Sequence, residues 1–191
     1  MTDTLKANGA ERRLFASTDV VDLRDRYYEP ALMALPQKLV PKPEELQILD
    51  QGRSSACTGF ALASVIDRQC RGLFNGGGRG RVSPRMLFQM ARLHDDLPDA
   101  EHAGSTLRGV LKGFFHNGVV PEIDAPFNAF TNAAPFRLSL PMAERAREIS
   151  LGAYYRLNHE INDYHTALNE AEAIIVSAEI HSGWRTPKKG E

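Results

Sequence analysis

The stretch "DQGRSSACTGFALASVID", Asp50 to Asp67, decides how this chain is read. A polar, glycine-bearing loop runs straight into Cys57, and a helix begins there. Gly52 lets the loop bend tightly. Ser54 or Ser55 can cap the helix start. Phe60, Ala61, Ala63, Ser64, Val65 and Ile66 make a nearly all-round apolar cylinder, which predicts a buried helix from Ala56 to about Arg71. A cysteine there has a chemical use. The helix dipole and the free backbone N–H groups of a helix start favour a thiolate, which is the nucleophilic form. The same N–H groups can hold an oxyanion. Gln51, six residues before Cys57, can offer its side-chain amide to that oxyanion. A nucleophile and an oxyanion hole are two of the parts that acyl transfer needs. The bland alternative is an inert thiol opening a core helix.

Working outward, Met1 to about Thr18 is polar and reads as loosely ordered. Pro30, Pro36, Pro41 and Pro43 rule out one long helix over 19–49. That part reads as an extended segment wrapped over the surface, with a short turn near Ala31–Leu35. Asp22 and Asp25, interleaved with Arg24 and Arg26, read as surface charges. Downstream of the Cys57 helix, "FNGGGRGR" breaks the chain. Ser83-Pro84 opens a second helix in the favoured N-cap and N1 arrangement. "STLRGVLKGFFHNG" is a third helix, ended by Asn117-Gly118. "LPMAERAREI" and "INDYHTALNEA" read as shorter helices, "SLGAYYRLN" as a strand and "AIIVSAEI" as a buried strand. Helices come first and strands later, so the fold class is α+β rather than alternating α/β. One or two strands cannot close a sheet that hides both faces, so the sheet is short of partners.

Composition bounds the function. The chain has 191 residues, 42% hydrophobic and 25% charged, which suits one globular domain or two small lobes. A net charge of −1 gives no basic patch for nucleic acid. No apolar run approaches the roughly 18 residues that would span a membrane. The start, "MTDTLKANGAERRLF", has no apolar core of a secretory signal, so the expected compartment is the cytoplasm. The two cysteines, Cys57 and Cys70, read as sharing one helix. Thirteen positions at about 1.5 Å each separate them by roughly 20 Å, beyond the reach of a disulfide at about 4.4–6.8 Å. Both are expected as free thiols. No His/Cys cluster has zinc spacing, and neither a metal nor a cofactor is called for.

"QGRSSACTGFALA" resembles the active-site stretch of papain-like cysteine peptidases, most closely bacterial members with a Q-G-x-x-x-x-C-T-x-F-A pattern. The resemblance makes Gln51 the oxyanion glutamine and Cys57 the nucleophile, with Phe60 and Ala61 as buried helix residues. Two positions depart from it. Thr58 stands where Trp or Tyr is common, and Ser54 stands where the family has a disulfide cysteine, which fits a reducing compartment. "VSPRMLFQMAR" is similar to the family's second-helix segment. "GSTLRGVLKGFFHNGVVPE" is similar to the segment lining the non-primed substrate cleft, where Gly104 and Ser105 match positions whose backbone pairs with an extended peptide. "DAPF" and "LNEAEAIIVSAEIHSGW" resemble later family segments, so the likeness runs from about Asp22 to Trp184. It implies a papain-like fold over 19–191: a strap at 19–49, a helical left lobe at 50–125 and an incomplete β-rich right lobe at 126–191. The implied partner is a peptide or protein substrate.

Such a peptidase needs a histidine base and an Asn or Asp to orient it. In the papain type these lie roughly 130–150 residues beyond the cysteine, a window that opens at about position 187. They are therefore expected beyond residue 191, which makes the 191 residues a fragment or a natural truncation, nearly inactive alone. His181, at the end of the last strand, falls in a loop before the absent strand. His94 and His102 flank the acidic loop "HDDLPDAEH", where a solvated loop outweighs a metal site. His116 suits a helix C-terminus, and His159 and His165 read as surface residues. Two other functions stay open: a non-catalytic papain-like binding or scaffold protein, and an acyltransferase or transglutaminase-like use of the same thioester chemistry.

Overall fold

The computed structural model describes residues 4–7, 10–13, 16–17, 19, 21–42, 48–70, 81–95, 104–128 and 136–179. Three helices form the centre: α1 (Cys57–Gln69), α2 (Pro84–His94) and α3 (Leu107–Asn117). Each starts and stops for a local reason. Ser83 caps α2 by accepting from the Met86 N–H at 3.1 Å, and Pro84 follows at the first helical position. Thr106 caps α3 by accepting from the Gly109 N–H at 2.8 Å. Gly118 ends α3 with φ of 68°, a conformation that side chains with a Cβ disfavour. A Cβ on Gly118 would also lie 1.9 Å from the Ala146 carbonyl oxygen.

The core sits between these helices. Leu62, Ala63 and Ile66 of α1 meet Leu87 and Ala91 of α2 and Val110 and Phe114 of α3, with Val82 and Val119 beside them. Burying each larger side chain of this kind contributes about 1.5–3 kcal/mol. Gly59 lets α1 approach the start of α2, since a Cβ there would lie 2.5 Å from the Pro84 carbonyl oxygen. A second cluster, Met86, Met90, Val120, Ala125 and Ala146, brings in the short helix α4 (Leu140–Ala146). The helix α5 spans Ile161–Ala171.

Several expectations are corrected. α1 is not buried all round: Thr58, Gly59, Leu62, Ala63 and Ile66 form one buried stripe, while Ser64 is exposed. Its N-cap is Ala56 with no side-chain cap, because Ser54 Oγ is turned to the Gln51 carbonyl at 2.8 Å. The segment 21–42 is extended with no helical turn at 31–35. In the N-terminal part, residues 4–7 and 10–13 pair as the antiparallel strands β1 (Thr4–Ala7) and β2 (Ala10–Arg13). Of the two expected strands, 150–158 contributes one parallel bridge, Arg156 to Tyr27, and 173–179 has no ladder among the described residues. Val176 is 60% exposed, so β-branching alone gives that stretch no sheet. Ile180 lies outside the described residues. The expected order of helices first and strands later is not seen among the described residues: β1, β2 and β3 (Ala16–Ser17) precede α1, and after α3 the described residues hold helices and extended segments with no sheet.

The strap is tied down by charge. Arg108, near the start of α3, is 7% exposed and donates through both terminal nitrogens to Asp25, which is 5% exposed, at 2.6 Å each. Arg156 reaches the same carboxylate at 3.0 Å. Asp25 was expected as a surface charge; its burial follows from an arginine placed on the inner side of α3, which needs a carboxylate beside it. Asp22 is also drawn in, with Arg24 on its carboxylate and Arg108 at 3.7 Å. Backbone bonds Tyr28 N–H to Arg156 O, 2.9 Å, and Arg156 N–H to Arg26 O, 2.8 Å, complete the tie.

Replacing Arg108 by Leu leaves the Asp25 carboxylate buried beside Arg156 alone. A loss of about 3 kcal/mol in urea unfolding is expected; a loss under about 0.5 kcal/mol, the surface-mutation range, contradicts the tie. The Arg108 hydrogen bonds, then Arg156, hold the Asp25 carboxyl below its ordinary value of 3.8. The pair's contribution is therefore fully present above pH 3.8 and is lost as pH falls through the lower folded value.

Candidate active site

Residues 50–57 form a tight polar turn. The Asp50 carboxylate accepts from the Gly52 N–H at 2.7 Å, Gly52 takes φ of 58°, and the Ser54 N–H donates to the Gln51 carbonyl at 3.2 Å. The left-handed glycine lets the chain reverse and enter α1 with Cys57 as its first residue. Cys57 is half-buried and its Sγ lies 3.9 Å from the Ser55 carbonyl oxygen. Ala56, the N-cap, makes no side-chain cap bond, and its own N–H donates to Ser54 Oγ at 3.4 Å. Gln51 is half-buried in the same turn, and its side-chain amide donates to the Ser54 carbonyl at 2.9 Å. That bond uses one of the two amide hydrogens and fixes the side chain inside the loop.

Gly104 and Ser105 are both buried. Ser105 opens the short strand β4 (Ser105–Thr106), which pairs in parallel with β3 (Ala16–Ser17) of the chain's own N-terminal part: Ala16 with Ser105, Ser17 with Thr106. Two side-chain ties fix β4. Ser105 Oγ hydrogen-bonds Thr58 Oγ1, both residues being 2% exposed. The Thr106 N–H and hydroxyl both donate to the Asp95 carboxylate, at 2.9 and 3.1 Å. The Arg108 N–H donates to Asp19 at 2.9 Å. β4 is thus joined to the residue after Cys57 and to the end of α2, and the start of α3 to the strap.

The histidines stand elsewhere. The His94 and His116 rings stack at 4.9 Å at the ends of α2 and α3, and Asn117 Nδ2 lies 2.8 Å from His94 Nε2. Burial, then His116 and Lys112, pull His94 below its ordinary value of 6.5. His159 lies 3.3 Å from the Tyr164 hydroxyl. His102 and His181 lie outside the described residues. Among the described residues no group of three or more His, Cys, Asp or Glu can hold a metal ion. A cleft lined by Asp22, Arg24, Asp25, Arg108, Lys112 and Tyr154 belongs to the strap's charge network.

Sequence reasoning missed Asp95, Arg108 and the Thr58–Ser105 bond. Arg108 had a signal: it falls among Leu107, Val110 and Leu111 on a helix face that must go inward. The Thr106–Asp95 and Ser105–Thr58 bonds join residues far apart in sequence, so no local pattern signals them.

The fold is similar to that of xylellain, a cysteine protease from Xylella fastidiosa, with a TM-score of 0.70 and 23% sequence identity, over 88% of this chain and 65% of that chain. The chain therefore spans about two thirds of that protein's length. At this identity the likeness shows the fold. No protein-family model matches the chain, and no curated protein does. Among the described residues no helix is long and apolar enough to cross a membrane.

Neither Cys57 nor Cys70 is in a disulfide, and both are half-buried. Burial, then the Asp67 carboxylate, push the Cys70 thiol above its ordinary value of 9.0. In the Cys57→Ala chain the rate of iodoacetamide labelling at Cys70 should rise with a midpoint above pH 9.0; a midpoint at or below that value contradicts the burial of its thiolate.

Proposed function

We propose that the chain is the larger part of a papain-like cysteine peptidase, with Cys57 as nucleophile. The observation that carries this is Cys57 at the first position of α1, six residues after Gln51 in a polar turn, in a fold similar to a cysteine protease. The Cys57 thiolate attacks the carbonyl carbon of a peptide bond. The oxyanion is held by the backbone N–H of Cys57 and by an amide hydrogen of Gln51. The amine leaves with a proton from a histidine, and water then cleaves the thioester. That histidine and its orienting Asn belong, in this reading, to the part of the fold that these residues do not span.

The same proposal divides the chain into a strap at 19–49, a helical lobe at 50–125 and a partial β lobe at 126–191, and makes Gly104 and Ser105 the edge that holds the substrate backbone. Two cysteines outside any disulfide, and Ser54 in place of a disulfide partner, support a reducing compartment such as the cytoplasm. One observation favours the scaffold reading instead: the β4 edge is already paired with Ala16–Ser17. In the peptidase reading an extended peptide takes the place of β3.

Labelling with a peptidyl epoxide, read residue by residue by mass spectrometry, tests the proposal. Cys57 should react at least about tenfold faster than Cys70, because a thiolate at a helix start is the better nucleophile and the peptide adds binding. Equal rates at the two cysteines would move the reading to the scaffold.

A Ser17→Pro change removes an N–H from the β3–β4 pair and weakens that pairing. It should raise the peptidyl epoxide rate at Cys57 several-fold while leaving the iodoacetamide rate unchanged. An unchanged peptidyl rate would show that β3 does not share the substrate's edge.

A further inference from the structure

Thr58 follows the proposed nucleophile directly, and its side chain is 2% exposed. Its hydroxyl meets the equally buried hydroxyl of Ser105, 47 residues away in sequence. Buried hydroxyls are costly to leave without a partner, so each holds the other in place. The bond joins the second residue of α1 to the first residue of β4. The other side-chain tie on β4, Thr106 to Asp95, fixes the strand to the end of α2 and not to the helix that carries Cys57. The Thr58–Ser105 bond, by contrast, runs from the nucleophile's helix to the peptide edge.

We propose that Thr58 is a positioning residue for the acyl-transfer site: its hydroxyl sets Ser105, and so keeps the peptide edge in register with the Cys57 sulfur. This rests on the peptidase reading of Cys57 and Ser105. A side chain larger than Thr at position 58 would have to displace Ser105. Val at 58 keeps the shape and removes the hydroxyl, leaving Ser105 Oγ without this partner. The nucleophile itself is untouched, because Thr58 acts on where a peptide lies and not on the sulfur.

The test compares two reagents on the full chain: a peptidyl epoxide, which needs the edge, and iodoacetamide, which does not. Thr58→Val and Ser105→Ala should each lower the peptidyl rate at Cys57 about tenfold, the loss of one buried hydrogen bond, with the iodoacetamide rate within about twofold of the parent. Thr58→Ser should keep the parent's ratio of the two rates. The double variant Thr58→Val, Ser105→Ala should fall no further than either single change, because the two hydroxyls act as one unit. The parent ratio persisting in Thr58→Val, or both reagents slowing together, or Thr58→Ser falling like Thr58→Val, overturns the inference. Should Thr58→Val not fold, Ser105→Ala removes the same bond from the other side, and a parent-like ratio there overturns it equally. A parent chain whose peptidyl epoxide shows no preference for Cys57 over Cys70 sinks the peptidase reading first, and this inference with it.

Discussion

The bidentate bond between Arg108 and Asp25 is the constraint on which the arrangement around β4 depends. It is buried on both sides, so breaking it strands a charge away from water, a far larger cost than that of a surface pair. By contrast Arg145 and Asp124, with Arg145 more than half exposed, belong to the class worth about 0–1 kcal/mol. The buried pair joins three lengths of chain that local folding would leave apart: the strap, the start of α3 and the extended segment at Arg156. Because Arg108 lies two residues after Thr106, the same joint sets β4. From β4 the connection continues through Ser105 and Thr58 to the helix that begins at Cys57. A charge pair in the strap and a thiol at a helix start are thus parts of one connected frame.

The helices were legible in the sequence because each carries its own boundary. Ser83-Pro84 and Asn117-Gly118 are start and stop signals whose physics is local, and both act as read. The burial of α1 is narrower than its composition suggests, since seven small or apolar residues in a row, Phe60 to Ile66, do not show which side faces solvent. The strands were less legible. "AIIVSAEI" has the composition of a strand, but a strand exists only with a neighbour to pair with, and the described part of that stretch pairs with none among the described residues. The strand that does form at Ser105–Thr106 has only two residues and no alternation to read; its partner, Ala16–Ser17, lies in a segment whose polarity suggested looseness.

For the site, the sequence supplied the residue types and the spacing, and the structure supplied their surroundings. Gln51 and Cys57 do lie on one turn and the helix it opens, with Gly52 in the left-handed conformation the turn requires. The Gln51 amide, however, donates to the Ser54 carbonyl, so one of its hydrogens stabilises the loop rather than facing an oxyanion. Asp22 and Asp25 read as surface charges because their arginine neighbours in sequence suggested local pairing. Asp22 does pair locally with Arg24, while Asp25 reaches across 83 residues to Arg108, a distance that no local pattern records.

The measurement closest to the central claim is acylation of the chain by an activated ester of a short peptide, followed by intact mass and peptide mapping. Such an ester has a leaving group that needs no proton, so the nucleophile is tested without its base. One acyl group per chain, held as a thioester at Cys57 and absent from Cys57→Ala, is the predicted result. No acyl group, or one that forms equally at Cys70, would contradict Cys57 as the nucleophile of an acyl transfer.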